Sequence, residues 1–119
     1  EHPLFRRPDE ISPEELAAAP AVAPSYRMHA EAHGLHKGLN CVAKATDREA
    51  IAFLILTGEY IGFLPDHYAA GWVEKGLMAP LLPDSMRFLV TIAAATRTGR
   101  RQNLIVDRFM DELLSGPPV

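Results

Sequence analysis

The chain has 119 residues, a length typical of one domain, and its 48% hydrophobic and 23% charged residues are the balance of a globular protein. A formal net charge of −3 and a pI of about 5.9 exclude a general attraction to nucleic-acid phosphates, which requires clustered lysine and arginine. The longest apolar runs, 51–56 and 88–95, are far shorter than the roughly 20 residues of a membrane-spanning helix. Residues 1–8 lack the basic-then-apolar order of a signal peptide. We therefore expect a cytoplasmic protein with no membrane partner.

Residues 12–45 predict a short helix, two strands and an irregular segment between them. Ser12-Pro13-Glu14-Glu15 has the pattern of a capping box and opens a helix that Pro20 ends. The apolar run at 21–24 predicts a brief buried strand, and residues 39–45 predict a strand around Cys41 and Val42. Residues 25–38 hold three histidines and two glycines without a clean period, so we predict a loop with one helical turn there.

The centre of the chain has a clear succession of helix and strand. Thr46 or Asp47 is expected to cap a helix over 50–57. Gly58 is placed to end this helix, because glycine adopts the left-handed conformation at low cost. Residues 60–64 are apolar on both faces, the pattern of a central parallel strand, and a proline follows them.

The rest of the chain continues the alternation. Asp66 is expected to cap a second helix that ends at Gly76, and residues 77–82 are predicted to form another strand. Residues 88–96 are a long β-compatible run, and a terminal helix is predicted over 101–114. Alternating helices and buried strands indicate an α/β sheet. The apolar face of the terminal helix consists of Leu104, Ile105, Phe109 and Leu113.

Cys41 is the chain's single cysteine. It excludes an internal disulfide and a four-cysteine zinc site, and its apolar neighbours predict a small buried side chain. The sequence has no phosphate loop and no Rossmann glycine fingerprint, so no cofactor is predicted.

The order of these pieces resembles the effector-binding domain of LysR-type bacterial transcription regulators. The resemblance rests on the helix–glycine–strand–proline unit at 50–65, the pair Gly76-Leu77 and the terminal helix. His2-Pro3-Leu4 is similar to the segment that marks the family's first crossing between subdomains. One departure is Tyr60, which replaces the family's usual second glycine before the buried strand.

The resemblance implies a periplasmic-binding-protein-like (type 2) α/β fold with a mixed, mostly parallel sheet flanked by helices. Residues 5–86 would form the second effector subdomain, and 87–119 the return strand and terminal helix of the first. On this resemblance the family's DNA-binding helix-turn-helix is expected to be absent from residues 1–119.

The function that the resemblance implies is sensing rather than catalysis. A small-molecule inducer would bind between two subdomains and close them, and the change would pass to attached DNA-binding domains. The implied partners are the effector, a second copy of the protein, and promoter DNA contacted only through the missing N-terminal domain. The chain would therefore not be an enzyme.

Ser25 and Thr46 are the first candidates for effector contacts. Each follows a predicted strand, and ligands of open α/β sheets bind beyond the carboxyl ends of the strands. Both hydroxyls stand where similar family positions touch the effector. The alternative is that Ser25 only closes a turn and that Thr46 only caps its helix.

Tyr26, Arg27 and Pro65 complete the candidate ligand-binding set. Arg27 has the guanidinium fork that pairs with a ligand carboxylate, although a lone loop arginine is commonly solvated. Tyr26 would stack on an aromatic ligand or cover the edge of the core. Pro65 would form part of the wall or simply end its strand.

The histidines support a different class of protein. His29, His33 and His36 fall at helical spacing, and two such rings with a nearby Glu31 can hold zinc. The alternative prediction is therefore a small histidine-rich metal-binding protein or a hydrolase that uses His29 and His33. The glycines Gly34 and Gly38 interrupt a helix there, and no H-E-x-x-H motif is present.

Overall fold

The computed structural model describes residues 2–97, 99 and 103–116. The chain divides into two compact units, unit 1 (Glu1–Phe88) and unit 2 (Leu89–Val119). In chain order the elements are a 3-10 turn at Pro3–Arg6, α1 at Pro13–Ala18, β1 at Pro20–Pro24, α2 at Ala30–Lys37, β2 at Asn40–Ala45, α3 at Arg48–Leu56, α4 at Asp66–Glu74 and α5 at Leu104–Ser115. The predicted α/β class is confirmed.

Helix α1 begins with the predicted capping box. The Ser12 hydroxyl accepts a hydrogen bond from the Glu15 N–H (3.1 Å), and the Glu15 carboxylate accepts one from the Ser12 N–H (3.0 Å). Arg7 also pairs with the Glu15 carboxylate. The Ser12 N–H and then Arg7 hold the pKa of Glu15 below its ordinary value, because both favour the charged form.

The lowered pKa of Glu15 predicts a pH dependence of stability. We expect wild type to be more stable than Glu15→Gln near neutral pH, and this difference to shrink as the pH falls below the ordinary glutamate pKa, about 4.3. The sign follows because a carboxyl whose pKa is lower in the folded state stabilises it only while ionised. Urea unfolding of both proteins at several pH values measures the difference. A difference that grows on acidification would contradict the assignment.

The sheet of unit 1 is built from β1 and β2, which pair in parallel. Helix α2 connects the end of β1 to the start of β2, as a parallel pair requires. The register aligns Ala21 with Cys41 but Val22 with Ala43, so Val42 is an extra residue in β2. At this bulge the Val42 side chain is 61% exposed. The two strands predicted at 21–24 and 39–45 are confirmed.

The strand predicted at 60–64 is reduced to one parallel bridge between Ile61 and Ala21. Ile61 donates its N–H to the Pro20 carbonyl and accepts from the Val22 N–H, both at 2.9 Å. Alternate residues of β1 face this side, so the next donor along the strand would be Pro24. Proline has no N–H, and the ladder ends after one step.

Helix α2 contradicts the loop predicted for residues 25–38. It begins after His29 and continues through Gly34, which does not interrupt the helix. A Cβ at Gly34 would meet nothing within 4 Å. Ala32 and His36, four residues apart, are the buried face of the helix. Their burial against the rest of unit 1 outweighs the cost of a glycine in a helix, which is about 1 kcal/mol.

Two further predicted strands are wrong. At 77–82 the N–H groups of Leu77 and Met78 donate to the Trp72 carbonyl and close the end of α4. Leu82 has a positive φ of 45°. Pro80 within this segment and Pro83 directly after it have no N–H to donate to a strand ladder. Residues 88–96, which begin at the last residue of unit 1 and continue into unit 2, contain no strand, since no described strand pairs with them.

Helix ends differ from prediction in detail. Asp66 was expected to cap α4, but Pro65 occupies the N-cap position and Asp66 is the first helical residue. Gly58 and Gly76 have φ of 83° and 70° and end α3 and α4 as predicted. The terminal helix is confirmed as α5, where Asn103 accepts from two N–H groups; residues 101 and 102 of the prediction lie outside the described residues.

Two apolar clusters form the core of unit 1. One contains Leu4, Ile11, Ala19, Ala21 and Ile61, with the half-buried Cys41 packed against it. Burial raises the pKa of the Cys41 thiol. The second cluster contains Val22, Ala45 and Ile51, so β1 contributes to both. Strand β1, whose residues 21–23 are buried, is the centre of the unit.

Gly62 lies where the backbone passes closest to the core. A Cβ at this position would stand 2.8 Å from the Val22 Cγ1 and 3.3 Å from the Ile55 Cδ1. Val22 is fully buried and has no room to move aside. We expect Gly62→Ala to lower the free energy of unfolding by about 1–3 kcal/mol through overpacking.

Gly71→Ala is the matched control, since a Cβ at Gly71 meets nothing within 4 Å in the interior of α4. This substitution is expected to raise the free energy of unfolding by about 0.5–1 kcal/mol through helix propensity. Urea unfolding measures both. Equal effects from the two alanines would show that the contact with Val22 is not tight.

Candidate functional site

The candidate site is the edge of the sheet at which its strands end. We name it the carboxyl edge and define it as residues 25–29, 46–48 and 63–68. Pro24 is in register with Ala45, and the Ser25 N–H donates to the Ala45 carbonyl at 2.8 Å. The parallel ladder therefore runs to the last residue of both strands and places Ser25 beside Thr46. The structure brings together the two residues that were expected to contact an effector.

The hydroxyls of Ser25 and Thr46 are both exposed at this edge. Helix α3 is capped by Asp47, whose carboxylate accepts from the Ala50 N–H at 2.8 Å. The alternative in which Thr46 only caps its helix is therefore wrong. Within the described residues neither hydroxyl has a hydrogen-bond partner, so both are available to an external polar group.

Because Asp47 and not Thr46 caps α3, the two positions should respond differently to alanine. We expect Asp47→Ala to lower the free energy of unfolding by about 1 kcal/mol through loss of the N-cap. Thr46→Ala should change it by less than about 0.5 kcal/mol, as is usual for a surface substitution. Thermal or urea unfolding measures both variants. A larger effect at Thr46 than at Asp47 would reverse the assignment.

Tyr26 and Arg27 follow Ser25 in the loop that leads to α2. Tyr26 is 56% exposed, so it does not seal the core edge, and Arg27 is exposed as well. The loop ends at His29, the N-cap of α2, whose Nδ1 accepts from the Ala32 N–H at 3.5 Å. The structure thus places the two predicted side chains at the carboxyl edge with free access to solvent.

Pro65 lies at the same edge through a different set of contacts. The preceding Leu64 packs against the second core cluster, and α4 starts immediately after Pro65. The Arg48 guanidinium carbon lies 5.0 Å from the centroid of the Tyr68 ring. This cation–π contact holds the first turn of α3 against the first turn of α4.

Three helix N-termini consequently border the carboxyl edge, those of α2, α3 and α4. The first turn of a helix presents N–H groups without intrahelical partners and a partial positive charge. The start of α4 has no side-chain cap. Such an arrangement favours polar or anionic ligand groups over apolar ones.

A second depression, of about 300 Å³, opens in unit 1 away from this edge. It lies beside Gly58 and Gly76, where α3 and α4 end, and its walls include Ile55, Tyr60 and Leu77. Helix C-termini turn carbonyl groups outward, and these walls are mostly apolar. This depression therefore does not coincide with the hydroxyls and N–H groups that suit a polar effector, and we place the candidate site at the carboxyl edge.

The histidines predicted as alternative metal ligands have other contacts. His29 caps α2, and its ring packs edge-on against Phe88, with ring centroids 5.3 Å apart. His36 is buried, with its Nδ1 2.7 Å from the Ala32 carbonyl and its ring 4.7 Å from that of Phe63. In residues 2–97, 99 and 103–116, no three histidine, cysteine or acidic side chains come together as metal ligands. The arrangement does not favour His29 and His33 as a metal or hydrolase site.

Comparison with known proteins decides the family. Residues 1–117 match the family model of the LysR substrate binding domain. The chain belongs to this family. It is also 52% identical over 111 residues to the HTH-type transcriptional activator BauR of Pseudomonas aeruginosa PAO1.

The alignment with BauR covers 92% of this chain but 36% of that protein, so the chain spans about a third of the relative's length. No solved structure gave a significant match. The resemblance noted from the sequence is confirmed as membership of the LysR substrate-binding domain family. In the described part of the chain, no helix is both long and apolar enough to cross a membrane.

Sequence reasoning did not assign the roles of three residues that shape this edge, Asp47, His29 and Tyr68. Asp47 was one of two candidate caps, and only the structure separates it from Thr46. The ring contacts of His29 and Tyr68 join segments far apart in sequence. An imidazole immediately before Ala30 was a usable signal for a helix start, since its ring nitrogen accepts a hydrogen bond as an N-cap side chain does.

Proposed function

We propose that this chain is the effector-sensing module of a LysR-type transcription regulator and that a small polar molecule binds at its carboxyl edge. The observation that carries the proposal is the hydrogen bond from the Ser25 N–H to the Ala45 carbonyl, which places residues Ser25 and Thr46 next to each other. Family membership supports the class of function. Arg27, Tyr26 and Pro65 are proposed to complete the contacts.

The proposed fold is that of a type 2 periplasmic-binding-protein-like domain with a mixed, mostly parallel sheet. Residues 5–86 would form one lobe, and residues 87–119 would return to the other lobe. A ligand that touches both lobes binds the closed arrangement more tightly than the open one. Only this difference in affinity can shift the population toward closure.

The proposed partners follow from the same function. BauR is named an HTH-type activator, and we infer that this module acts with a helix-turn-helix domain that contacts promoter DNA. A homodimer in the cytoplasm would present two such domains to the promoter. In this role the module binds its effector without transforming it.

A ligand screen on the full-length natural protein tests the site. Small polar metabolites, carboxylates included, are screened by thermal shift, and the affinity of each hit is measured by calorimetric titration. We expect Ser25→Ala and Thr46→Ala each to weaken binding by about three- to tenfold, since one net hydrogen bond contributes about 1 kcal/mol. Arg27→Gln should weaken carboxylate hits selectively.

Thr57→Ala is the matched control, because its hydroxyl lies at the other end of α3 and bonds to the Leu54 carbonyl. Its effect on ligand affinity should be less than about twofold, within the scatter of a distant substitution. Hits whose affinity is unchanged in Ser25→Ala and Thr46→Ala would place the effector elsewhere.

A further inference from the structure

Four aromatic rings of unit 1 form a continuous cluster beside the carboxyl edge. The ring of Phe88 packs on those of His29 and Phe63, with centroids 5.3 Å apart in both pairs, and Phe63 packs on His36 at 4.7 Å. We name these residues, His29, Phe63, Phe88 and His36, the aromatic cluster. Among the described residues no direct ring contact joins His29 to Phe63, so Phe88 is the link between them.

The two partners of Phe88 belong to the two loops of the candidate site. His29 ends the loop that carries Ser25 and caps α2. Phe63 begins the segment that leads to Pro65 and the start of α4. His36 supports Phe63 from the second turn of α2, so both phenylalanines lie against that helix. One ring therefore ties together two backbone segments that would contact the same ligand.

Phe88 also marks a boundary in the chain. It is the last residue of unit 1, and it is half-buried. The residues that follow are open to solvent, with Leu89 86% and Val90 60% exposed. Phe88 is thus the last anchored residue before the chain leaves unit 1.

We propose that Phe88 is a positioning residue that couples the two ligand-side loops to the point where the chain leaves unit 1. The inference rests on the proposed function, because it assigns those loops to the effector. A ligand that draws the two loops together must move the ring packed between them. That movement is transmitted directly to Leu89 through the backbone.

Hydrogen–deuterium exchange on the full-length natural protein without ligand tests the coupling. Three backbone N–H groups are followed. That of His33 donates to the His29 carbonyl and reports on the first loop, and that of Tyr68 donates to the Pro65 carbonyl and reports on the second. The Val22 N–H donates to the Ile61 carbonyl and reports on the core. In Phe88→Leu we expect exchange to rise at least about threefold in peptides containing His33 and Tyr68. Exchange at Val22 should change by less than about twofold, because local opening leaves the core protected.

Two further variants complete the test. Phe88→Tyr keeps the ring and should restore wild-type exchange. Phe53→Leu removes a ring that is 71% exposed on α3 and should leave all three amides unchanged. Acceleration at only one loop, at neither loop, equally at Val22, or undiminished in Phe88→Tyr would overturn the proposal. Since no ligand is added, this result is independent of whether the effector screen succeeds.

Discussion

The hydrogen bonding of β1 determines the shape of unit 1. Odd-numbered residues of this strand face β2, where the ladder passes the bulge at Val42 and continues to the Ser25 N–H. Even-numbered residues face Ile61, and there Pro20 offers only a carbonyl and Pro24 offers no donor. One side of β1 therefore carries a full strand and the other a single bridge. The same strand brings Ser25 and Thr46 together at one edge. On its other side, strand pairing ends after Ile61.

The end of strand pairing after Ile61 affects the path of the residues that lead to the candidate site. Gly62 lets the backbone pass over Val22 at a distance that any side chain would obstruct. Phe63 then turns to α2 instead of continuing a sheet, and its ring meets the aromatic cluster. A longer third strand would have directed this segment along β1 and away from α2. Because Pro24 has no N–H to donate, pairing with the third segment stops after Ile61. This accounts for both the short sheet and the position of residues 63–65, which precede α4.

Local signals in the sequence predicted most local features correctly, the exception being Asp66, which is the first residue of α4 and not its cap. The Ser12 capping box and the glycine stops at Gly58 and Gly76 depend on a few adjacent residues, and all three are confirmed. Placing Ser25 beside Thr46 required only that two strands be parallel. The wrong predictions for whole elements involve tertiary contacts or neighbouring elements, because α2 is stabilised by burial of one face, and Leu77 and Met78 donate their N–H groups to the end of α4. Ring packing across 59 residues, from His29 to Phe88, leaves no periodic trace in the sequence.

The exposure of the carboxyl edge bears on how a sensor of this kind would work. On the proposed function each hydroxyl would contribute about 1 kcal/mol to binding, whereas micromolar affinity requires about 8 kcal/mol. An open edge with Ser25 and Thr46 in solvent supplies only part of that sum, and the remainder must come from a second surface that covers the ligand. The binding free energy gained when the second surface covers the ligand is the same free energy that favours the closed arrangement. On the proposed function, weak binding by the open edge is therefore a condition for a large response, because an edge that bound tightly alone would leave little energy to drive closure.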